Sequence, residues 1–204
     1  MAVTRKYEQR LRADEAEQTR RRILDALYQR LRDAPAAPVS VDQIARMARV
    51  ARSTVYLIFG SRTGLFCALA ADVLQPGLRE ILRAAADPDA IEGLRGAIRG
   101  GVRMYAGQPD VLRALRSMAR LDPDGVGRAI QQIDQGRADG AALRARLLAE
   151  QGILRPDLTT GQAEDLIWLL TSFEVFDLLH SGRGLPPDQV ADSLIATAER
   201  ALCR

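Results

Sequence analysis

Apolar residues recur along this chain at three- and four-residue intervals, and no run alternates for long enough to mark a half-buried strand. The pattern predicts an all-helical protein. Ile23, Leu24, Leu27, Tyr28 and Leu31 form one stripe behind the basic run Arg20, Arg21, Arg22, in a helix that ends near Asp33 before Ala-Pro-Ala-Ala-Pro. Ser40 and Gln43 then have the spacing of a capping box, so a second helix opens there, with Ile44, Met47 and Ala48 on its apolar face. After a gap of about three residues, Val55, Tyr56, Ile58 and Phe59 supply the face of a third. Ala45 is small enough to let two such helices cross closely.

Gly60 fits a helix stop and Ser61 a cap, and beyond them a helical pattern runs from about 62 to 86 with Pro76-Gly77 inside it, which predicts a kink. Breaks at Asp87-Pro88, Gln108-Pro109, Asp122-Pro123, Arg155-Pro156 and Ser181 to Pro187 divide the remainder into about five helices. Several of these breaks put proline in the first turn of the next helix, where its missing N–H is harmless. The last two helices, near 161–180 and 187–202, are long and rich in Leu, Ile, Val and Phe. From Asp165 to Leu179 the apolar arc is too wide for one interior contact, so that helix needs a second burying surface such as a partner subunit.

With 204 residues, 47% apolar and 27% charged, the chain can fold as a small domain attached to a larger one. Its net charge of +3 is unevenly spread: residues 1–65 carry 13 Lys and Arg against 7 Asp and Glu, and the remainder 16 against 19, so a +6 segment precedes a −3 body. A basic end on an acidic body points to a polyanion partner. No apolar stretch reaches the ~18 residues of a membrane span and the first residues are too polar for a signal peptide, so no membrane association is expected and the cytoplasm is the default location. Cys67, Cys203 and the single His180 share no short motif, which suggests neither zinc nor a disulfide, and no cofactor is expected. With no histidine–carboxylate metal pattern, nucleophile elbow or thiolate pair, the sequence gives an enzyme little support. Gly93, Gly96, Gly100 and Gly101 lack the preceding strand and the spacing of a phosphate loop and are read as close helix packing or a flexible helix.

Two short helices joined by a tight turn are the helix-turn-helix, whose second helix enters the major groove while the first braces it. The run Thr19 to Leu27, then Val41 to Phe66, resembles the N-terminal domain of TetR-type transcriptional regulators, with a weaker likeness from Asp165 to Leu194. The resemblance implies an all-α protein of about nine helices: an N-terminal arm and three-helix DNA-binding domain over 1–61, then a larger helical effector-binding and dimerisation domain over 62–204. It implies a homodimer through the two C-terminal helices and a sequence-specific repressor of a pseudo-palindromic operator in double-stranded DNA, released by a small-molecule effector. The alternatives are a helical protein using its basic domain for nonspecific DNA or protein contacts and, last, a helical enzyme.

Carried over by position, the recognition helix is about Ala51 to Leu57, with Arg52, Ser53, Thr54, Tyr56 and Leu57 facing DNA. Arg52 suits guanine O6 and N7, Thr54 and Tyr56 suit phosphate oxygens, and Leu57 can touch a thymine methyl. Ser40, Arg62 at the start of the fourth helix, and Arg5 and Lys6 in the arm complete the expected DNA face. Arg49 stands where the family commonly has glycine in the turn, and it is expected to offset a left-handed backbone by reaching a phosphate. Ala51 replaces a capping hydroxyl. The effector pocket is expected among Tyr105, Met104, Leu112 and Leu115, and among Met118, Trp168, Phe173 and Phe176, with Trp168 and Tyr105 foremost.

Overall fold

The computed structural model describes the backbone of residues 2–35 and 37–204, and side chains from residue 13 onward within those ranges. The described residues form eleven α-helices, one π-helical turn and no strand, apart from a single bridge between Leu154 and Cys203. No single helix among them is long and apolar enough to cross a membrane.

The N-terminal helices are α1 (Ala2–Asp33), α2 (Val41–Ala48), α3 (Arg52–Phe59) and α4 (Arg62–Val73). They are followed by α5 (Gln75–Ala85), α6 (Ala90–Gly107), α7 (Pro109–Leu121), the π-turn (Pro123–Gly127) and α8 (Arg128–Glu150). The C-terminal helices are α9 (Thr160–Leu170), α10 (Phe173–Arg183) and α11 (Pro187–Leu202).

Every proline-marked break lies where the sequence pattern puts it. Two further breaks raise the helix count above nine. The pattern from 62 to 86 is not one kinked helix: α4 stops at Val73 and α5 starts at Gln75 with Pro76 in its first turn, because proline, which lacks an N–H, cannot continue the ladder. The pattern from 161 to 180 is interrupted at Thr171 and Ser172, where the Thr171 hydroxyl donates to the Ile167 carbonyl (2.8 Å) and Ser172 Oγ accepts from the Val175 N–H (3.2 Å). A hydroxyl that caps a new helix ends the old one.

Contacts group the chain into two units that are not contiguous in sequence: Met1–Ala71 with Arg113–Ile130, and Asp72–Leu112 with Gln131–Arg204. The first unit thus reaches past residue 61 and takes in most of α7 and the π-turn. Its core is the predicted α1 stripe, with Ile23, Leu27 and Leu31 at 0% exposure, together with buried Ile44, Val55, Leu65 and Phe66. Arg30, 7% exposed, closes the α1–α2 loop by donating to the carbonyls of Ala34 (2.7 Å), Ala37 (3.2 Å) and Pro38 (3.0 Å). The Ala34 carbonyl also accepts from the Ala37 N–H (3.2 Å), so the side chain and the backbone together fix this turn.

In the second unit α5 packs along α6, α11 packs on α6 and α9, and α10 on α6 and α11. The α5–α6 crossing is close because Gly77 and Gly100 face each other; a Cβ on Gly77 would overlap the Gly100 carbonyl and lie 2.7 Å from Met104 Cβ. Gly93 and Gly96 also lie against Ala84 of α5, so of Gly93, Gly96, Gly100 and Gly101 all but Gly101 serve close packing. Arg95 bridges α6 to α11 through Glu199 (2.5 Å) and pairs with Glu92 (2.5 Å) on its own helix.

Candidate nucleic-acid interface and effector cleft

The joint between α2 and α3 takes its shape from Arg49. Its backbone is left-handed (φ 56°, ψ 47°), the only positive φ outside glycine among the described residues. The Arg49 N–H donates to the Arg46 carbonyl (3.1 Å) and the Val50 N–H to the Ala45 carbonyl (2.9 Å), the two bonds of a Schellman stop. A left-handed conformation costs a non-glycine residue roughly 1–2 kcal/mol. Ala51 follows as the N-cap of α3 with extended backbone and no side-chain acceptor, about 1 kcal/mol weaker than a hydroxyl cap. At the other end of α2, Ser40 Oγ accepts from the Gln43 N–H (3.1 Å), as its spacing predicts.

Helix α3 is anchored by Val55, 1% exposed, while Arg52, Ser53, Tyr56 and Leu57 are exposed and Thr54 is half-buried. Leu57 is 85% exposed, so it contributes nothing to the interior of this chain. The five residues expected to face DNA therefore form one accessible face, with Arg49 and Ser40 exposed beside it. Arg5 and Lys6 lie outside the residues whose side chains are described. Helix α4 opens with Ser61 Oγ accepting from the Gly64 N–H (2.9 Å), at a bend of 65° from α3.

Arg52 is engaged in the free protein. Its Nη1 donates to Asp42 Oδ2 (3.1 Å) and Oδ1 (3.3 Å), and its Nη2 lies 3.5 Å from the Tyr56 hydroxyl with the guanidinium 5.5 Å from that ring's centre. The Tyr56 hydroxyl and then the Asp42 charge raise the Arg52 pKa above its ordinary value, so the fork stays cationic. Asp42 sits in the first turn of α2, ten residues away along the chain, and no local sequence pattern ties it to Arg52.

Arg62 requires a correction. Expected near the DNA backbone, its guanidinium instead points inward, donating to Asp122 and to the Val39 carbonyl (3.2 Å) and lying 5.0 Å over the Phe66 ring. Asp122 caps the π-turn by accepting from the Gly125 N–H (3.0 Å), and the Thr63 hydroxyl donates to the Asp124 carbonyl (3.0 Å). A Cβ at position 125 would fall on Arg62 Nη1 and lie 2.6 Å from Asp122 Oδ2, so a larger residue there would push this pair apart. Burial pushes the Asp122 carboxyl up, but the Arg62 charge and the Gly125 and Val126 N–H groups together outweigh it and hold its pKa below the usual value.

In the second unit Tyr105, Phe173 and Phe176 meet at centroid distances of 5.5 to 6.2 Å, His180 stacks on Phe176 at 5.1 Å, and the Tyr105 hydroxyl donates to the Thr171 carbonyl (3.0 Å). Beside them is a cleft lined by Tyr105, Phe176, Ile98, Gly101, Val102 and Leu194, closed by Leu170, Thr171 and Ser172 at the α9–α10 break. Its accessible volume is about 10 Å³, room for one water, whereas ligand pockets are roughly 300–1,000 Å³. Met104 and Leu112 are buried in the same unit, and Phe173 belongs to the aromatic cluster without lining the cleft.

Three expected pocket residues lie elsewhere. Leu115 and Met118 are buried within the first unit, because α7 turns its second half to that core. Trp168 is 42% exposed, covered on one face by the Arg137 guanidinium 4.4 Å from its ring, and does not line the cleft. Ile98, Val102 and Leu194, which do, are ordinary core residues in sequence and carry no mark of a cleft. Cys67 and Cys203 form no disulfide and are half-buried, with burial raising both thiol pKa values, and no group of three or more His, Cys, Asp or Glu among the described residues could hold a metal ion.

Residues 23–69 match the family described as bacterial regulatory proteins, tetR family. The whole fold is similar to NalD, the secondary repressor of the MexAB-OprM multidrug efflux pump in Pseudomonas aeruginosa, at 25% identity and a TM-score of 0.71, covering 93% of this chain and 98% of that one. It is also similar to a TetR-like transcriptional regulator from Rhodococcus sp. RHA1, at 25% identity and a TM-score of 0.60, covering 89% and 94% of the two chains. Among curated proteins none matches the sequence.

Proposed function

We propose that this chain, whose residues 23–69 match the tetR family of bacterial regulatory proteins, is a TetR-type transcriptional regulator: a homodimeric repressor that reads a pseudo-palindromic operator and is released by a small molecule. The observation that carries the DNA-reading part is the face of α3: Arg52, Ser53, Tyr56 and Leu57 are exposed together on a helix whose opposite side is pinned by buried Val55. Exposing a leucine at 85% on a rigid helix has a purpose if a thymine methyl covers it in the complex. Arg52 selects guanine, Thr54 and Tyr56 set register on phosphates, and Arg49 and Ser40 reach the backbone from the turn and from the start of α2. Arg5 and Lys6 are proposed to follow the groove from the N-terminal arm.

Dimerisation through the C-terminal helices accounts for Leu178, 68% exposed on α10, and for Trp168 and Leu169, 42% and 53% exposed on α9. The effector is proposed to enter the cleft beside Tyr105 and Phe176 by opening it, since 10 Å³ holds no organic ligand. Binding then favours a conformation in which the paired recognition helices no longer match successive major grooves ~34–36 Å apart.

Selection of binding sites from random double-stranded DNA at ~150 mM salt tests the reading. A two-fold symmetric motif enriched by the wild-type protein and weakened by Arg52→Ala is expected. Folded wild-type protein that enriches no motif would exclude sequence-specific regulation and favour nonspecific contacts.

A further inference from the structure

A reader of DNA has to refuse most of the DNA it meets, because phosphate attraction is independent of sequence and supplies essentially all nonspecific binding. On the recognition face the free protein sets one carboxylate against that attraction. Asp42 occupies the first turn of α2, half-exposed, with both carboxylate oxygens within 3.3 Å of Arg52 Nη1. Arg52 is the first residue of α3, where a cation opposes the positive end of the helix. The guanidinium is nevertheless held in place, between Asp42 on one side and the Tyr56 ring and hydroxyl on the other.

We propose that Asp42 is a specificity-determining positioning residue for the DNA contact of Arg52. The inference rests on the DNA-reading function proposed above and deepens it. The carboxylate acts in two ways. It occupies one amino group of the fork and leaves the remaining N–H groups directed, so that the fork meets a guanine edge without first losing its rotamer freedom. It also stands as a negative charge at the DNA face, so an Arg52 that swings toward a phosphate must leave Asp42 unpaired beside that phosphate. A guanine in register offers two acceptors without a net charge and carries no such penalty. Wrong sequences are thus disfavoured by a repulsive element as well as by the loss of an attractive one.

Because the pair is exposed, its contribution to folding is small, and Asp42→Asn should fold like the wild type. Asparagine keeps the size and one acceptor and removes the charge. The test measures affinity for the duplex enriched by the wild-type protein and for a shuffled duplex of equal length, over a salt series, for wild type, Asp42→Asn, Arg52→Ala and the double variant. Asp42→Asn is expected to raise affinity for the shuffled duplex about tenfold, to steepen its log–log salt dependence by up to about 0.9, and to raise affinity for the selected duplex less. Site selection with this variant should lose guanine preference at the position that Arg52 reads and keep the other positions. In the double variant the loss of guanine preference through Asp42 should vanish, since it acts through Arg52.

Equal changes on both duplexes, or effects of the two substitutions that simply add, would overturn the proposal while leaving the regulator reading intact. A wild-type protein that prefers neither duplex would instead overturn the reading on which it rests.

Discussion

Helices α3 and α4 both begin with an arginine in the basic end of the chain, and the two do opposite things. At α3 the capping position is alanine and the turn before it is left-handed at Arg49, so the helix start is locally weak and Arg52 is left at the surface with Asp42 and Tyr56. At α4 the cap is the Ser61 hydroxyl, and Arg62 is drawn into Asp122, the Val39 carbonyl and the Phe66 ring. One arginine stays at the surface, paired with Asp42, and the other holds the π-turn. The second unit carries the contrast further. Its aromatic cluster is closely packed, and the cleft beside it has a volume of about 10 Å³.

Substitutions separate the packed region from the exposed one most sharply where burial is deepest. Phe176→Ala removes a ring that is 1% exposed from the aromatic cluster and is expected to destabilise the chain by about 3–5 kcal/mol in urea unfolding. Gly77→Ala puts a methyl group into the Gly100 carbonyl and should cost about 3 kcal/mol by the same measurement, whereas alanine on an ordinary helix face would stabilise. Arg52→Ala should leave the unfolding midpoint unchanged and lower discrimination for guanine by roughly 1–3 kcal/mol in binding titrations, which is the signature of an exposed reading residue.

Two smaller effects bear on the helix starts themselves. Arg49→Gly relieves the left-handed strain and is expected to stabilise the free protein by about 1 kcal/mol in thermal melts while weakening DNA binding, because the same side chain is proposed to reach a phosphate. Asp122→Asn should destabilise by up to about 1 kcal/mol at neutral pH, since the pair is partly exposed. The Asp122 pKa lies below its ordinary value of 3.8, so its contribution is present above that pH and is lost as pH falls through the lowered value. Melting curves of wild type and Asp122→Asn should therefore converge as pH falls below the ordinary carboxylate range.

Helix existence and most boundaries were legible because proline, glycine and hydroxyl caps act within a few residues. The left-handed backbone at Arg49 and the uncapped Ala51 followed from the family resemblance at single positions, whereas the apolar pattern assigned Met47 and Tyr56 to buried faces and both are exposed. Arg62 could not. Its partner lies 60 residues away, and an arginine at a helix start is as suitable for a phosphate as for a half-buried carboxylate until the chain brings Asp122 to it. The surroundings of the aromatic residues were legible only in part for a similar reason: Tyr105 and Phe176 line one cleft, but Trp168 lies against Arg137 away from it, and Leu115 and Met118 are claimed by the other unit.

By itself the sequence determined an all-helical chain with a basic helix-turn-helix at one end, since periodicity, caps and turn spacing are local properties of covalent neighbours. Only the tertiary structure decided which arginine faces outward, which carboxylate holds it, and how nearly closed the cleft is. Those outcomes depend on which distant groups share a volume, and burial and pairing between residues 60 apart leave no periodic trace along the chain.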